Sequence, residues 1–374
     1  MSTGSIIFNK TPLNLNPAYN NSIIEYHCNT LTDVRYSEII INSKIFKVYP
    51  INGVFTFNFK DIVKVLINQN NFNDTLIPDL TTSFIYDDTT LSYNLTALIK
   101  IYDASSMVQV TKNYSFIKSV EQLPNYIQKI ESTNPVRVLL PTLNNIDYYA
   151  PYFEGYPFDI AIYGLNIGYN YQFKNTSTVN QSSMFTSTST EVKRIYFSDG
   201  ETNEFNTELI NLSTTLNNLE LWVNGSFSSN INIKRYESKS GVYLKWFNAS
   251  GGWSYWLFDE IFENTLSTKT IDEINGFTDN LQNITSTSNI TGKNGFETLK
   301  LNARFNEQEK EYVKSILLSP KVEMYVHTTP FNQFVKGKFI GVKISDGSIP
   351  FNNKYSNYKM NITITLPEIY TQTL

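Results

Sequence analysis

A single cysteine, Cys28, stands among the 374 residues. That excludes an intrachain disulfide framework and any zinc site built on several thiolates. Histidine is nearly as scarce, with His27 and His327 alone, too few with one cysteine to build an ordinary metal site. Charged residues make up 17% of the chain, below the usual roughly 25%. The formal net charge is −4, and no run of Lys and Arg traces a phosphate backbone, so nucleic acid is not an expected partner. No apolar run reaches the roughly 18–20 residues of a membrane helix. The opening MSTGSIIFNKTPLNLNP has neither a basic n-region nor an apolar core, and no secretory signal is expected. GxSxG, HExxH, P-loop and GxGxxG motifs are all missing.

What the chain has instead is aromatic and β-branched bulk. Tyr and Phe number 25 each and the hydrophobic fraction is 41%, enough to fill real cores and to favour strands. The pattern predicts a mainly β protein with a few short helices. It is organised as serial antiparallel sandwich- or barrel-like domains, over 1–120, 121–265 and 266–374, the last of them α+β. In 38–59, two turn signals, Asn42-Ser43 and Asn52-Gly53, separate apolar runs, and the Asn-Gly pair is the stronger hairpin signal. KDIVKVLIN then places apolar residues at 62, 63, 66 and 67, the stripe of a short helix with Asp61 near its start. Further turns are read at 103–106, at Asn224-Gly225, and at the Ser-Asp-Gly triplets 198–200 and 345–347. The tract 174–190, KNTSTVNQSSMFTSTST, is nearly uncharged and reads as a loop or as an exposed strand in search of a partner. NEQEKEYVKSILLSP (306–320) is the strongest helix signal. Asn306 is its N-cap, acidic residues fill its first turns, and Tyr312, Val313, Ile316 and Leu317 form its buried stripe.

Candidate chemistry is sparse. Cys28 adjoins His27, but neighbours on a strand point to opposite faces, so an ordinary small buried cysteine is the expectation. His327, at a strand end, is read as a core or solvated histidine. Carboxylates at Asp147, Asp159, Asp259 and Glu260 could pair across a fold as in glycosidases, yet no acid, base and nucleophile set can be named, and no enzyme activity is expected. No catalytic, cofactor or metal site is assigned. The densest feature is GVYLKWFNASGGWSYWLFDE (241–260), with Trp246, Trp253 and Trp256 around a Gly-Gly pair. In strand geometry both legs carry bulky side chains on both faces, which marks a hairpin packed on two sides or held between subunits. Tyr243, Trp246, Trp253, Tyr255 and Trp256 are therefore the interface or ligand candidates. An open sugar-binding platform is the weaker alternative to core or subunit contact.

The same Trp- and Gly-rich stretch resembles a segment of virion proteins from tailed phages and prophages of Bacteroidota hosts. LNARFNEQEKEYVKSILLSPKVEMY, followed by YKMNITITLPE, is similar to the end of such proteins, and KVYPINGVFTFNFKDIVKVL (47–66) is a fainter likeness. The resemblance covers mostly residues 236–374 and brings no catalytic motif. It implies a tail-tip or baseplate component, similar in role to distal tail proteins that join the tail tube to the adsorption apparatus. Partners would be copies of itself in a ring, for which six is the usual number in that role, and other virion tail proteins. Assembly would take place in the host cytoplasm and the mature location would be the virion. A receptor- or carbohydrate-binding virion protein acting on host-surface glycan is the alternative.

Overall fold

The computed structural model describes residues 5–13, 15–31, 33–121, 136–141, 147–200, 209–237, 240–260, 262–275, 288–327, 334–348 and 357–373. As the composition predicts, the protein is mainly β, with several antiparallel sheets and two short α-helices among the described residues. The segment FTDNLQNITST (277–287) lies outside the described residues.

The first unit is a sandwich. Its smaller sheet runs Ile6–Lys10, Ile23–Cys28, Phe55–Asn58; its larger one runs Leu15–Pro17, Met107–Ile117, Ser92–Tyr102, Tyr36–Ile41, Lys44–Val48. Alternating residues of both sheets meet in a core that includes Ile24, Tyr26, Ile39, Phe55, Ile99 and Phe116. The helix Lys60–Ile67 buries Val63 and Ile67 against it, half of the predicted stripe, while Ile62 and Leu66 pack at its margin. The two-residue turn Asn42-Ser43, both at positive φ, joins the longer ladder. Asn52-Gly53 also turns at positive φ but closes only the single bridge Ile51–Val54. The weaker turn signal makes the better hairpin because alternating apolar residues flank it on both sides. Cys28 is only half-buried, with Sγ 3.2 Å from Thr30 Oγ1. The expectation of full burial fails because its strand is ending there.

Two further sheets follow. One has the order Arg137–Val138, Pro157–Tyr163, Val192–Asp199, Ile85–Asp88, so a segment from the first hundred residues completes a sheet of the second region. The other has the order Asp147–Phe153, Ser226–Tyr236, Leu216–Val223, Asn170–Asn175, Asn180–Gln181. Asp147–Phe153 contains Pro151 and lies at the edge of that sheet, where a missing N–H costs no ladder bond. At the opposite edge the tract 174–190 folds back on its own chain. Asn180–Gln181 and Phe185–Thr186 pair with Asn170–Asn175, and Ser182 exchanges bonds with the Phe173 backbone.

The last sheet has seven strands, in the order Trp253–Phe258, Val242–Phe247, Val322–Tyr325, Phe339–Ser348, Asn357–Thr365, Lys293–Asn306, Glu263–Thr270. By its ladder the Trp hairpin belongs to this sheet rather than to the region before residue 265. The triplet Ser345-Asp346-Gly347 is not a turn: it lies inside Phe339–Ser348, where the register shifts between Ile344 and Asp346. An extra residue inserted in a strand uses the same small, polar side chains as a turn. The helix Glu307–Lys314 continues into a 3₁₀ turn, Ser315–Leu318. It buries Tyr312, Val313 and Ile316 in a core shared with the second region's sheets. Its start is a full capping box: Asn306 Oδ1 accepts from the N–H groups of Gln308 and Glu309, and Glu309 Oε2 accepts from the Asn306 N–H at 2.9 Å. Glu309 is also almost fully buried, accepting from Tyr149, Tyr236 and Lys234 on the neighbouring sheet. Burial would raise its pKa, but these donors reverse that and hold it below the usual glutamate value. Removing the cap by Asn306→Ala is expected to cost about 1 kcal/mol in urea unfolding, and Glu309→Ala more, because it also unties the helix from the sheet.

Candidate functional site

All twelve residues of the Trp hairpin's two strands are buried. The register sets Leu244 opposite Trp256 and Trp246 opposite Ser254 on one face, with Lys245 opposite Tyr255 and Phe247 opposite Trp253 on the other. Two-sided packing, as read from the alternation, is what the chain adopts. Trp246 donates its indole N–H to Ser315 Oγ at 2.8 Å and meets Tyr312 edge-on. Trp256 packs edge-on to Phe153 and Phe305, and Tyr243 stacks on Tyr156 and Tyr255. The five candidate rings, Tyr243, Trp246, Trp253, Tyr255 and Trp256, are 0–3% exposed. They sit in the chain's own core and offer no ring face to a glycan or to a second subunit. Core, one of the two roles read from the sequence, is where they are.

The Gly-Gly turn explains itself by proximity. A Cβ on Gly252 would stand 2.4 Å from the Leu139 carbonyl oxygen, and one on Gly251, at φ +92°, would stand 2.8 Å from Ile117 Cγ2. Asn248 closes the turn, its Oδ1 accepting from Ser250 N and its Nδ2 donating to Leu139 O and Ser254 Oγ. The Val120 N–H donates to Ala249 O at 2.9 Å. The tip of the hairpin is thus wedged between the end of the first sandwich and the start of the second region.

Beneath the hairpin lies a buried ionic centre. Arg194, from Val192–Asp199, grips Asp159 of Pro157–Tyr163 with two parallel bonds, Nε to Oδ2 at 2.6 Å and Nη2 to Oδ1 at 2.7 Å. Its Nη1 reaches Asp74 at 2.9 Å and Asp88 at 3.4 Å. Asp74 holds a second cation, Lys245 of the hairpin, at 3.0 Å, and Lys245 also meets Glu323 at 2.7 Å. The Tyr255 hydroxyl donates to Asp159. Arg194 and Asp159 are both 1% exposed. Four carboxylates surround two cations, and two lysines at the margin redress the balance: Lys321 near Glu323, and Lys118, which feels the charge of Asp88. Lys118 lies against the Phe72 ring, and burial pushes its ammonium down to about 8 against the opposing pull of Asp88.

The charges fix protonation. Burial alone would raise Asp74's pKa, but Arg194 and Lys245 override it and hold the carboxyl well below the usual aspartate range. Arg194 is in turn raised well above its ordinary value despite its burial, chiefly by Asp159 and Asp74. Burial and the charge of Asp159 drive the Tyr255 phenol upward, so it stays a donor. Each partner is already engaged inside the chain, and the arrangement acts as a tie between layers. It joins the 68–84 connection, the four-stranded sheet and the hairpin sheet.

Of the carboxylates singled out in the sequence, Asp159 belongs to this centre. Asp147 accepts from Asn230 at an edge strand, Asp259 is exposed just beyond the hairpin, and Glu260 binds Arg304 and Lys359. The structure does not bring them together. Asp88 is both a turn residue, accepting from Thr90 N and Oγ1, and a ligand of Arg194. Sequence reading missed Asp74, Arg194, Lys245 and Glu323. The one available signal was Lys193-Arg194 inside VKRIYFSD, beside the bulky Val192 and Ile195-Tyr196-Phe197 of a strand buried almost throughout. His327 rests against Tyr156 and Tyr325, its pKa lowered by burial and by Lys336. Among the described residues no group of three or more His, Cys, Asp or Glu could hold a metal ion, and no helix is long and apolar enough to cross a membrane.

No family model and no curated protein matches the chain. Among solved structures, it is similar to the fibronectin(III)-like modules of CbhA from Clostridium thermocellum, at 7% identity and a TM-score of 0.18 over 63% of this chain and 95% of that one. A full extracellular region of plexin A4 aligns at 8% identity and TM-score 0.20, over 96% of this chain and 36% of that one. Likenesses this faint carry no argument.

Two outcomes follow from the packing. Trp256→Ala is expected to cost about 3–5 kcal/mol of stability and Gly252→Ala about 1–3 kcal/mol through overpacking against Leu139, both read as lowered urea midpoints. Asp74→Asn leaves Arg194 and Lys245 short of a counter-charge and should cost about 3–5 kcal/mol at pH 7. Because Asp74's pKa is lowered on folding, its contribution is present above the unfolded value of about 3.9 and fades as pH falls below it. Wild-type stability should therefore fall progressively from about pH 5 downward and keep falling below about pH 3, toward Asp74's lowered folded pKa, and the Asn variant should show a shallower drop in the same titration.

Proposed function

We propose that this chain is a structural, non-enzymatic subunit of a phage tail. It would form part of a tail-tip, baseplate or adaptor ring that joins the tail tube to the adsorption apparatus. The reading rests on the resemblance of 241–260 and 301–368 to virion proteins. The observation that carries it on physical grounds is the contrast between inside and outside. The ionic centre and the Trp hairpin are sealed within the fold, while large apolar side chains stay open at turns and edge strands, Ile45, Tyr49, Ile51 and Leu266 each by 60% or more. Such residues on an isolated chain are what a subunit presents when its remaining faces are meant for neighbours. Partners would be further copies of the chain and other tail proteins, with assembly in the host cytoplasm and residence in the virion. The glycan-binding alternative relied on Trp253, Tyr255 or Trp256 being open, and their burial removes that support.

Antibodies raised against the purified chain should label one end of tailed particles released by the producing host, and the chain should co-purify with those particles at a fixed copy number. Particles that carry no copy after gradient purification would reject the role.

A further inference from the structure

Among the described residues, the seven-stranded sheet ends on one side in an open edge. Its last strand, Glu263–Thr270, is exposed along almost its whole length, contains no proline, and pairs with Lys293–Lys300 without a bulge. Proteins usually blunt such an edge with a bulge, a proline or a cover, as the fold-back at 174–190 does elsewhere in this chain. Large apolar side chains also gather here: Leu266, Phe296, Ile271 and Ile290 are all at least 40% exposed on this arm.

The hydrogen-bond parity of the strand is fixed. The carbonyls of Gly295 and Glu297 accept from Ile369 and Leu366, on the far side of Lys293–Asn306. Even-numbered residues of that strand therefore face Glu263–Thr270, and the register pairs them with its odd residues, Phe296 with Ser267 for example. The backbone groups that point outward are then those of Asn264, Leu266, Thr268 and Thr270.

We infer that Glu263–Thr270 pairs antiparallel with the same strand of a second copy across a two-fold axis at Leu266. Parity requires outward residues to meet outward residues, which restricts the register to steps of two. Centred on Leu266, the pairing sets Glu263 against Lys269 of the second copy at both ends, Asn264 against Thr268, and Thr265 against Ser267. Leu266 meets Leu266 in the middle. A shift of one step either way sets Glu263 against Ser267 or Ile271 and leaves both charges unmatched. Glu263 would then lie between two cations, since its own chain already places Lys300 at 3.3 Å on the other side. The contact is isologous, adds a strand to a ready edge, and joins two sheets into one. It does not depend on the phage-tail reading.

The test is the mass of the full chain by sedimentation velocity across a dilution series at low salt. The wild type should pass from monomer to twice that mass. Lys269→Glu and Glu263→Lys, each confirmed as folded by circular dichroism, should each raise the concentration of half-dimerisation at least tenfold. An equimolar mixture of the two should dimerise again, because it restores an opposite charge at both ends. Leu266→Pro should stay monomeric with its unfolding midpoint little changed, since that N–H points away from the chain's own ladder. A wild type that is monomeric throughout overturns the inference. So does a dimer or larger ring that ignores both charge reversals, or a mixture that fails to recover. A ring insensitive to these changes would leave the proposed tail role intact while removing this contact from it.

Discussion

Everything in the centre of this protein is arranged around one buried cation. Arg194 sits on a central strand, and its guanidinium is shared among Asp159, Asp74 and Asp88. Placing such a group where solvent does not reach costs several kcal/mol of desolvation, which the pairing only partly or wholly offsets. An apolar side chain of similar size could make as stable a core. What the charge adds is geometry: the planar fork accepts Asp159 in one orientation and Asp74 in another. The strand carrying Asp159, the connection carrying Asp74 and the hairpin carrying Lys245 then have one mutual placement that leaves no charge unmet. A slip of one residue in the Val192–Asp199 strand would turn Arg194 to the opposite face and replace it with Lys193, whose partner is Asp87 at the rim.

Much of the fold was legible because its signals are local. Asn224-Gly225 turns the Leu216–Val223 and Ser226–Tyr236 hairpin at positive φ, and the Asn306 capping box starts the second helix, both written within four residues of chain. Two-sided burial of the Trp hairpin was legible too, since alternation reports what each face carries. Alternation does not report which strand lies alongside. Nothing near Ile85–Asp88 announces that it will join Val192–Asp199, a hundred residues on. Nor does a lone Asp74 in a polar connection announce two cations waiting for it from distant strands. The Ser-Asp-Gly triplet at 345–347 shows a further limit. Small and polar residues serve both a turn and a bulged strand, and only the partner strand decides between them.

The hairpin illustrates how the layers depend on each other. Its aromatic rings fill the shared core, but its position is set at the two ends by different means. At the turn, Gly251 and Gly252 allow contact too close for any side chain, against Ile117 and Leu139. Along the strand, Lys245 binds Asp74 and Glu323, and Tyr255 binds Asp159. Steric fit alone would tolerate several rotations of a flat aromatic ribbon. Directional bonds at Lys245 and Tyr255 leave one.

The same chain treats two of its sheet edges in opposite ways, and the difference bears on what it is for. Beyond Asn170–Asn175, an uncharged tract returns to donate Ser182 and the short pairings at Asn180–Gln181 and Phe185–Thr186, so the ladder is closed from within. Beyond Lys293–Asn306 the last strand has no such cover among the described residues, and its charges lie at its two ends, Glu263 and Lys269, with leucine between. A sequence capable of capping one edge with serine and threonine could cap another by the same means. Leaving this edge flat, uninterrupted and self-complementary in charge is therefore a property to be explained by what it meets. A strand whose charges from Glu263 to Lys269 match those of a copy of itself is the simplest explanation.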